Sequence, residues 1–423
     1  MNKRLLVLVL IFSFTFVFLS LSQNYVVNAK AQDTPPTVNE EENVRYTFNH
    51  SGEITSAKIY KYGKLVKIQE FYPGTTSEES QKRIKYNFQL NREGYVIKAQ
   101  NLDKRTQKIS RQYEYYPKTI YGSHGRNIKY IFDMNSQGYV TEATKREKGT
   151  KRITAWYQYY PKTVYGSHGR NIKYKFDMNS QGYVTKATQR EKGTKRITAW
   201  YQYYPKTVYG SHGKNINYVF IINSSGYLTK AEKKEKGTKR ILAWYQYQPK
   251  TVYGRHGSKI ISKKLNVPLI EQRPELPTGC EITAVTMMLQ YKGARVNKVS
   301  LAKQMPRHSS NPNKGYVGNP FTKHGWTIYP PALMNLVKKY AGSSVNLTGK
   351  SNATIEKQLF NGKPIVVLVS PMHGFSIHAL VLTGYDQNYY YYNDCWTGEK
   401  GAKISKKEFN RIWGNQSKRA ISY

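Results

Sequence analysis

The sequence predicts an all-β array of tandem repeats followed by a C-terminal α+β domain. A tyrosine-rich block recurs at a constant interval through residues 44–257. Within each copy, short aromatic segments alternate with Gly-containing turns, which is typical of antiparallel strands. After Cys280 the apolar residues change to helical spacing, and later segments return to strand-like runs. Repetition at this period indicates stacked or arrayed units, and the mixed pattern indicates an α+β domain.

The N-terminus, residues 1–31, is predicted to be a signal peptide. Two basic residues precede a mostly apolar run from Leu5 to Leu21, and small residues at Ala29 and Ala31 fit the positions that a signal peptidase recognises. We expect cleavage after Ala31 and no stable membrane span in the mature chain. The alternative is an uncleaved anchor, because the apolar run approaches the length that crosses a bilayer.

Two short segments separate the larger parts. Residues 32–43 contain two prolines and three consecutive glutamates, a composition typical of a solvated linker. Residues 258–264 form a basic connector before the C-terminal domain. We therefore place the parts of the chain at residues 1–31, 32–43, 44–257, 258–264 and 265–423.

Five repeats of about 44 residues are predicted. A Pro-Lys-Thr block recurs at 44-residue intervals at Pro117, Pro161, Pro205 and Pro249, and Pro73, one interval further upstream, marks a degenerate copy. One repeat contains three predicted strands, Ile172–Phe176, Tyr183–Thr188 and Ile197–Tyr204, separated by turns. We expect an elongated, thin meander. A closed five-bladed propeller is less favoured, because blades usually need four strands.

The third strand of each repeat carries rings on both of its faces. Tyr201 and Tyr203 lie on one face, and Trp200 and Tyr204 on the other. We therefore expect aromatic side chains on the surface of the array. A histidine also recurs in every Tyr-Gly-x-His-Gly loop, at His124, His168, His212 and His256. We interpret these histidines as turn residues, with metal binding along the array as the alternative.

The charge of the chain suggests a partner for the repeats. Its formal net charge is +41, and three of the bases lie in residues 1–31, which leaves +38 after cleavage. The repeat from Pro161 to Tyr204 has nine Lys or Arg residues and two acids. We expect a secreted, cell-wall-associated protein of Gram-positive type whose repeats bind an anionic wall polymer or a glycan, and no intracellular nucleic acid. The alternative is a charged face that only keeps the sheet soluble.

Cys280 is the candidate nucleophile. Pro277 and Gly279 predict a turn, and Cys280 then opens a helix in which Ile282, Val285, Met288 and Leu289 should form one buried stripe. The positive end of a helix favours a thiolate over a thiol. Downstream, His378 opens a strand-like apolar run, and a second run ends at Asp394. Cysteine, histidine and carboxylate are the groups that nucleophilic thiol catalysis uses.

Residues from about Leu265 to Tyr423 resemble bacterial papain-like cysteine peptidases related to the bacteriocin-processing, double-glycine leader peptidases. The matching segments are Asn266–Gln272, Leu276–Glu281, Gly315–Pro320, Gly325–Pro330 and the strand that begins at His378. The resemblance implies a papain-like α+β fold. It also implies that Cys280 is the nucleophile, His378 the base, Asp394 its orienting carboxylate and Gln272 a donor to the oxyanion. Cys395 departs from the family pattern, which has a proline after the aspartate.

These features predict an exported cysteine peptidase that cleaves peptide or amide bonds in a peptide or protein substrate, without metal or organic cofactor. The alternatives are an acyl-transferring or amidase variant, and a surface-binding protein with a vestigial peptidase domain. His373 is the alternative base, and His324 is expected at the cleft or in solvent. Cys280 and Cys395 could pair, although a permanent disulfide would consume the nucleophile.

Overall fold

A computed structural model describes residues 42–423. The predicted signal peptide and the predicted linker up to residue 41 lie outside the described residues. The chain divides into two compact units, one running to Ile153 with Pro161–Tyr165, the other formed by Thr154–Tyr160 and Gly166–Tyr423. Over residues 42–423, no helix has the length and apolar character that crossing a membrane requires.

The first unit is a β-meander. Each strand pairs antiparallel with the next along the chain, from β1 to β8. The strands are β1 Glu42–Phe48, β2 Ile54–Lys61, β3 Lys64–Phe71, β4 Ile84–Leu90, β5 Val96–Leu102, β6 Ile109–Tyr115, β7 Ile128–Met134 and β8 Val140–Arg146.

The second unit begins with the same pattern. Strands β9 to β16 again pair antiparallel in chain order. They are β9 Ile153–Thr163, β10 Ile172–Met178, β11 Val184–Arg190, β12 Ile197–Thr207, β13 Ile216–Ile222, β14 Leu228–Lys234, β15 Ile241–Tyr247 and β16 Ile260–Leu265. The prediction of three strands in each repeat is confirmed. The pairing of β12 with β13 joins one repeat to the next, which separate propeller blades would not do.

The faces of the sheet alternate from repeat to repeat. Cross-strand partners share a face, and neighbours along a strand lie on opposite faces. Trp156 pairs with Phe176, Phe176 with Ala187, and Ala187 with Tyr201. Trp200 precedes Tyr201 and therefore lies on the face opposite to Trp156. Equivalent residues of successive repeats therefore lie on opposite faces of the sheet. The rings on both faces of each third strand are consistent with this alternation.

The expectation of surface aromatic side chains is wrong for Tyr203, which is buried, whereas Trp200, Tyr201 and Tyr204 are half-buried. The hydroxyl of Tyr204 donates a hydrogen bond to the Lys234 carbonyl at 2.7 Å. Trp200 stacks on Tyr253, with 4.6 Å between ring centroids. The physical reason is that the segment after each third strand folds back over the sheet and covers the rings.

The repeat histidines are turn residues, as predicted. His212 lies in a 3₁₀ turn, Tyr209–Lys214, and its Nδ1 contacts the Tyr209 carbonyl. Its ring packs at 4.6 Å from Phe176, edge to face. The side chain therefore fixes the turn against the sheet.

The C-terminal part of the second unit has helices packed against an antiparallel sheet whose strands differ in length. The strand order is β17–β22–β18–β19–β20–β21. The helices are α1 Cys280–Lys292, α2 Lys298–Gln304, α3 Pro330–Ala341, α4 Asn352–Phe360 and α5 Lys406–Gly414. The strands are β17 Val345–Asn346, β18 Ile365–Val369, β19 His378–Tyr385, β20 Tyr389–Asp394, β21 Glu399–Ser405 and β22 Ala420–Ser422.

Helix α1 begins at Cys280, as predicted, but its burial differs from the prediction. Every residue from Cys280 to Leu289 is buried, so the helix has no exposed face over this length. The reason is tertiary, because α1 contacts β18 and β19 on one side and α2 and α3 on the other. A single buried stripe is typical of a surface helix, and α1 is a central one.

The segment predicted as a connector, residues 258–264, forms most of strand β16. Lys263 pairs with Tyr245 of the last repeat and with Tyr385 of β19. The buried Lys263 ammonium also donates a hydrogen bond to the Phe360 carbonyl. The sheet of the repeats in this unit is therefore continuous with the sheet of the C-terminal domain.

Gly384 makes this junction possible. A Cβ atom added at Gly384 would lie 2.3 Å from the Lys263 carbonyl oxygen and 2.8 Å from the Lys264 Cα. Both neighbours are backbone atoms, so a rotamer change cannot relieve the overlap.

Gly384→Ala should therefore lower the free energy of unfolding by about 1–3 kcal/mol, the usual cost of overpacking a close contact. Urea denaturation of the full chain measures it. Gly414→Ala is the matched control, because a Cβ there meets no atom within 4 Å. Equal stability of the two variants would show that the β16–β19 contact is dispensable.

Candidate active site

A tight turn places Cys280 at the first position of α1. The Gly279 amide donates to the Leu276 carbonyl at 3.2 Å, and the Leu276 amide donates to the Gln272 carbonyl at 3.1 Å. A Cβ at Gly279 would lie 2.9 Å from the Leu276 Cβ, so the turn needs glycine. Cys280 follows directly, with its side chain in an open cleft.

Two adjacent strands position His378 and Asp394. His378 is the first residue of β19, Asp394 is the last residue of β20, and Leu380 pairs with Asp394 in the sheet. The Nε2 atom of His378 lies 2.8 Å from the Asp394 Oδ1 atom. The Trp396 amide donates to the same oxygen at 2.8 Å, which fixes the carboxylate.

The Asp394 carboxylate is ionised at neutral pH. Burial acts to raise its pKa, but the hydrogen bond and charge of His378 outweigh burial and lower the pKa to about 2. Because Nε2 of His378 is held by this carboxylate, Nδ1 is the ring nitrogen left to face the cleft. The ring of Phe375 stacks against the imidazole at 5.6 Å and limits its rotation.

His373 contacts the other oxygen of the same carboxylate. Its Nε2 atom lies 2.8 Å from the Asp394 Oδ2 atom, and its side chain is partly exposed. Its positive φ of 51° places it in a tight turn before β19. His378 lines the cleft together with Cys280, whereas His373 does not. Of the two histidines that the sequence offered as the base, the geometry favours His378.

The histidines and Asp394 could also serve as metal ligands. Their three ligand atoms lie within 4.8 Å of one another, and this is the only such group among residues 42–423. Both imidazole Nε2 atoms are engaged with the carboxylate. A metal would have to replace both hydrogen bonds, so the arrangement fits a hydrogen-bonded triad as it stands.

The cleft has a volume of about 150 Å³. It is lined by Gln272, Pro277, Thr278, Cys280, Gly325, Trp326, Phe375, Ser376, Ile377 and His378. The structure thus brings three of the four predicted site residues to one surface, with Asp394 behind His378. His324 is exposed and is not among the lining residues.

Gln272 is buried and anchored at the edge of the cleft. Its Nε2 atom donates to the Pro277 carbonyl at 2.9 Å, and its Oε1 atom accepts from the Cys395 thiol at 3.4 Å. The Gln272 amide also donates to the Cys395 carbonyl at 2.8 Å. Cys395, at the position where the family pattern has proline, therefore locks Gln272 in place. Cys280 and Cys395 are both free thiols.

The expectation that the helix N-terminus favours a thiolate is wrong for the site as it stands. Burial, followed by the charges of Glu281 and Cys395, raises the pKa of the Cys280 thiol well above its ordinary value. The Ala379 amide acts in the opposite direction and does not compensate. Desolvation and the neighbouring acid therefore favour the thiol form of Cys280 and act against the helix end.

Glu281 is the residue that the sequence analysis missed. It is fully buried, its Oε2 atom accepts from the Cys280 thiol at 3.3 Å, and its Oε1 atom accepts from the Thr327 hydroxyl at 2.5 Å. Burial raises the pKa of this carboxyl group, and its hydrogen bonds act in the opposite direction. An acid directly after the cysteine, inside an otherwise apolar helical turn, was the available signal.

Comparison with known proteins identifies the family of the C-terminal domain. The model of the Peptidase_C39 like family matches residues 264–421. The uncharacterized protein YvpB of Bacillus subtilis is 33% identical over 189 residues, which are 38% of this chain and 75% of that protein. The crystal structure of a Bacillus anthracis protein described as a C39-like peptidase shares 34% identity, with a TM-score of 0.36, over 37% of this chain and 94% of that one. The chain belongs to the Peptidase_C39 like family.

Glu281→Gln should move alkylation of Cys280 by iodoacetamide to lower pH. An ionised carboxylate beside the thiol opposes the thiolate, and glutamine removes that charge while it keeps a hydrogen-bonding side chain. The rate of alkylation, measured over a series of pH values, gives the shift in the pH profile of Cys280. Glu408→Gln on α5 is the control, because that acid is exposed and paired with Arg411. An unchanged profile would mean that Glu281 stays protonated throughout.

Proposed function

We propose that the C-terminal domain is a cysteine peptidase that hydrolyses peptide or amide bonds through an acyl-thiol intermediate. The observation that carries the proposal is the shared cleft of Cys280 and His378, with Asp394 bonded to the far nitrogen of the imidazole. Family membership supports the same chemistry. The substrate class is a peptide or protein segment that can enter the cleft.

The proposed reaction begins with proton transfer. The Cys280 proton moves to His378 Nδ1, and the ionised Asp394 stabilises the imidazolium that forms. Burial opposes an isolated thiolate, and the positive charge of the imidazolium beside the sulfur acts in the opposite direction. The sulfur then attacks the carbonyl carbon and forms a tetrahedral oxyanion.

The oxyanion requires nearby N–H donors. The Cys280 backbone amide, at the start of α1, has no carbonyl partner within its own helix, and Gln272 Nε2 has a second hydrogen beyond the one it donates to Pro277. We assign both groups to the oxyanion. His378 next protonates the leaving amine, and water activated by the same imidazole releases the acyl group. No step calls for a metal or an organic cofactor.

Substitution of the site residues tests this proposal. Cys280→Ser should abolish hydrolysis and labelling by a thiol-reactive amide mimic, whereas Cys395→Ser should keep most activity. His378→Ala should lower kcat/KM at least about 100-fold, the lower range for loss of a general base. His373→Ala should cost less, since it touches the carboxylate only.

Peptide hydrolysis and label transfer are measured on the full chain by mass spectrometry. Labelling at Cys395 in place of Cys280 would contradict the assignment. Transfer of the acyl group to an added amine in preference to water would indicate a transferase. Absence of any labelling in a folded chain would support a vestigial domain.

We propose further that the chain is exported and that its repeats bind an anionic cell-wall polymer. The support is the +38 charge expected after removal of residues 1–31 and the regular placement of lysines. Lys129 lies over the rings of Tyr116 and Tyr130, and Lys173, one repeat later, lies over Tyr160 and Tyr174. In each of these repeats the ammonium group lies over two tyrosine rings, so the same lysine contact recurs at the 44-residue interval.

Binding to purified cell wall should fall log-linearly with salt, because each lysine–polymer contact releases a counterion. The full chain is titrated onto wall preparations with and without the anionic polymer, at low and at physiological salt. Loss of binding when the polymer is removed supports the proposal. Binding that changes neither with salt concentration nor with removal of the anionic polymer would instead indicate a neutral glycan or a protein receptor.

A further inference from the structure

Each inner repeat of the second unit holds a tyrosine of a later turn on its outer surface. Trp156 stacks on Tyr209 with 4.3 Å between centroids and 11° between planes, and Gln158 Nε2 donates to the Tyr209 hydroxyl at 2.9 Å. We call such a Trp–Gln pair a tyrosine seat. The tryptophan supplies a flat apolar platform, and the glutamine, two residues on and on the same face, fixes the hydroxyl.

The next repeat contains a second tyrosine seat with nearly the same geometry. Trp200 stacks on Tyr253 at 4.6 Å and 2°, and Gln202 Nε2 donates to the Tyr253 hydroxyl at 3.0 Å. The spacing from tryptophan to tyrosine is the same in both cases. Two occupied copies in one chain therefore define which ligand this surface accepts.

The last repeat has the seat but not the tyrosine. Trp244 and Gln246 stand one 44-residue interval after Trp200 and Gln202. The residue at the corresponding tyrosine position is Asn297, which caps α2 by accepting from the Ser300 amide at 2.8 Å. This position lies beyond the last repeat, so no repeat turn supplies a tyrosine for Trp244.

The terminal seat is open to solvent. Trp244 is 38% exposed, and no ring of residues 42–423 stacks on it. Gln246 is exposed as well, whereas Gln202 is half-buried under its tyrosine. Trp244 and Gln246 line a pocket of about 230 Å³ together with Lys230, Ser262 and Lys264.

The rim of this pocket differs from that of the inner seats. In those seats a phenylalanine meets the tyrosine edge-on, at 5.1 Å for Phe220 and Tyr253. Lys264 stands at the position equivalent to Phe220. The terminal seat therefore keeps the platform and the amide donor, while its wall is polar and suits a segment that arrives from solvent.

We propose that Trp244 and Gln246 form a binding site for a tyrosine side chain of a partner polypeptide. The tyrosine ring stacks on Trp244, and its hydroxyl accepts a hydrogen bond from Gln246. A sugar ring could also stack on an indole, but both occupied seats show a planar phenol with its hydroxyl on the glutamine amide. The site lies outside the cleft that contains Cys280, and the proposal does not depend on catalysis.

The test uses a capped peptide with the sequence of the occupant segment Thr207–Gly213, and a second peptide in which its tyrosine is phenylalanine. The full chain carries fluorotryptophan, and the ¹⁹F signal of Trp244 is identified by its loss in Trp244→Leu. Titration of the peptide while this signal is recorded gives the affinity of the unmodified chain. Calorimetry gives the affinity of the variants. Mass spectrometry verifies that the peptide stays intact.

We expect saturable binding of the tyrosine peptide that weakens at least tenfold in Trp244→Leu. Gln246→Leu should weaken it about threefold, in line with one net hydrogen bond, and should leave the phenylalanine peptide unaffected. Ile261→Ala, on β16 but on the opposite face from Ser262, is the control and should bind normally. Circular dichroism shows that each variant is folded.

Three results would overturn the proposal. One is the absence of binding by the tyrosine peptide to a folded chain. Another is equal loss of both peptides in Gln246→Leu, since the hydroxyl would then have no role. The third is saturable binding of a neutral chitin oligomer at Trp244 without binding of the peptide, which would assign the pocket to a glycan.

Discussion

The hydrogen-bonded pairing of β19 with its neighbours is the constraint on which the C-terminal domain depends. This strand begins with His378, pairs with β18 and β20 on its two sides, and meets β16 near its end. Helix α1, which begins with Cys280, packs on it. One strand thus aligns the candidate base with the carboxylate at the end of β20 and with the thiol of α1. A shift in its register by one residue would turn His378 away from the cleft.

Two buried acids beside the candidate nucleophile behave in opposite ways. Asp394 faces two histidines and a backbone amide, so its pKa falls to about 2 despite burial. Glu281 faces the Cys280 thiol and the Thr327 hydroxyl, neither of which carries a positive charge, so burial raises its pKa. The same functional group is therefore an anion behind the imidazole and a more readily protonated acid beside the sulfur. Negative charge at Asp394 supports His378, whereas negative charge at Glu281 opposes the thiolate.

The repeats show how a single sheet can bury rings without a second layer. Successive repeats alternate their faces, and the turn after each third strand in the second unit lays a tyrosine over the preceding repeat. Each repeat thus completes the one before it, and the last one is left incomplete. Strand β16 ends the series by joining the sheet to β19, where Gly384 permits the close backbone approach.

The sequence by itself determined the features that follow from local pattern and spacing. The three-stranded repeats, the turn before Cys280, the start of α1 and the strands that carry His378 and Asp394 were all predictable, because periodicity and turn residues are local properties. Burial of α1 on all sides, the β16–β19 junction and the covering of the rings depended on contacts between distant segments. The role of Glu281 required the tertiary structure for the same reason. The charge of Glu281 acts on the Cys280 thiol inside a buried site, and that burial is set by the elements packed around the helix.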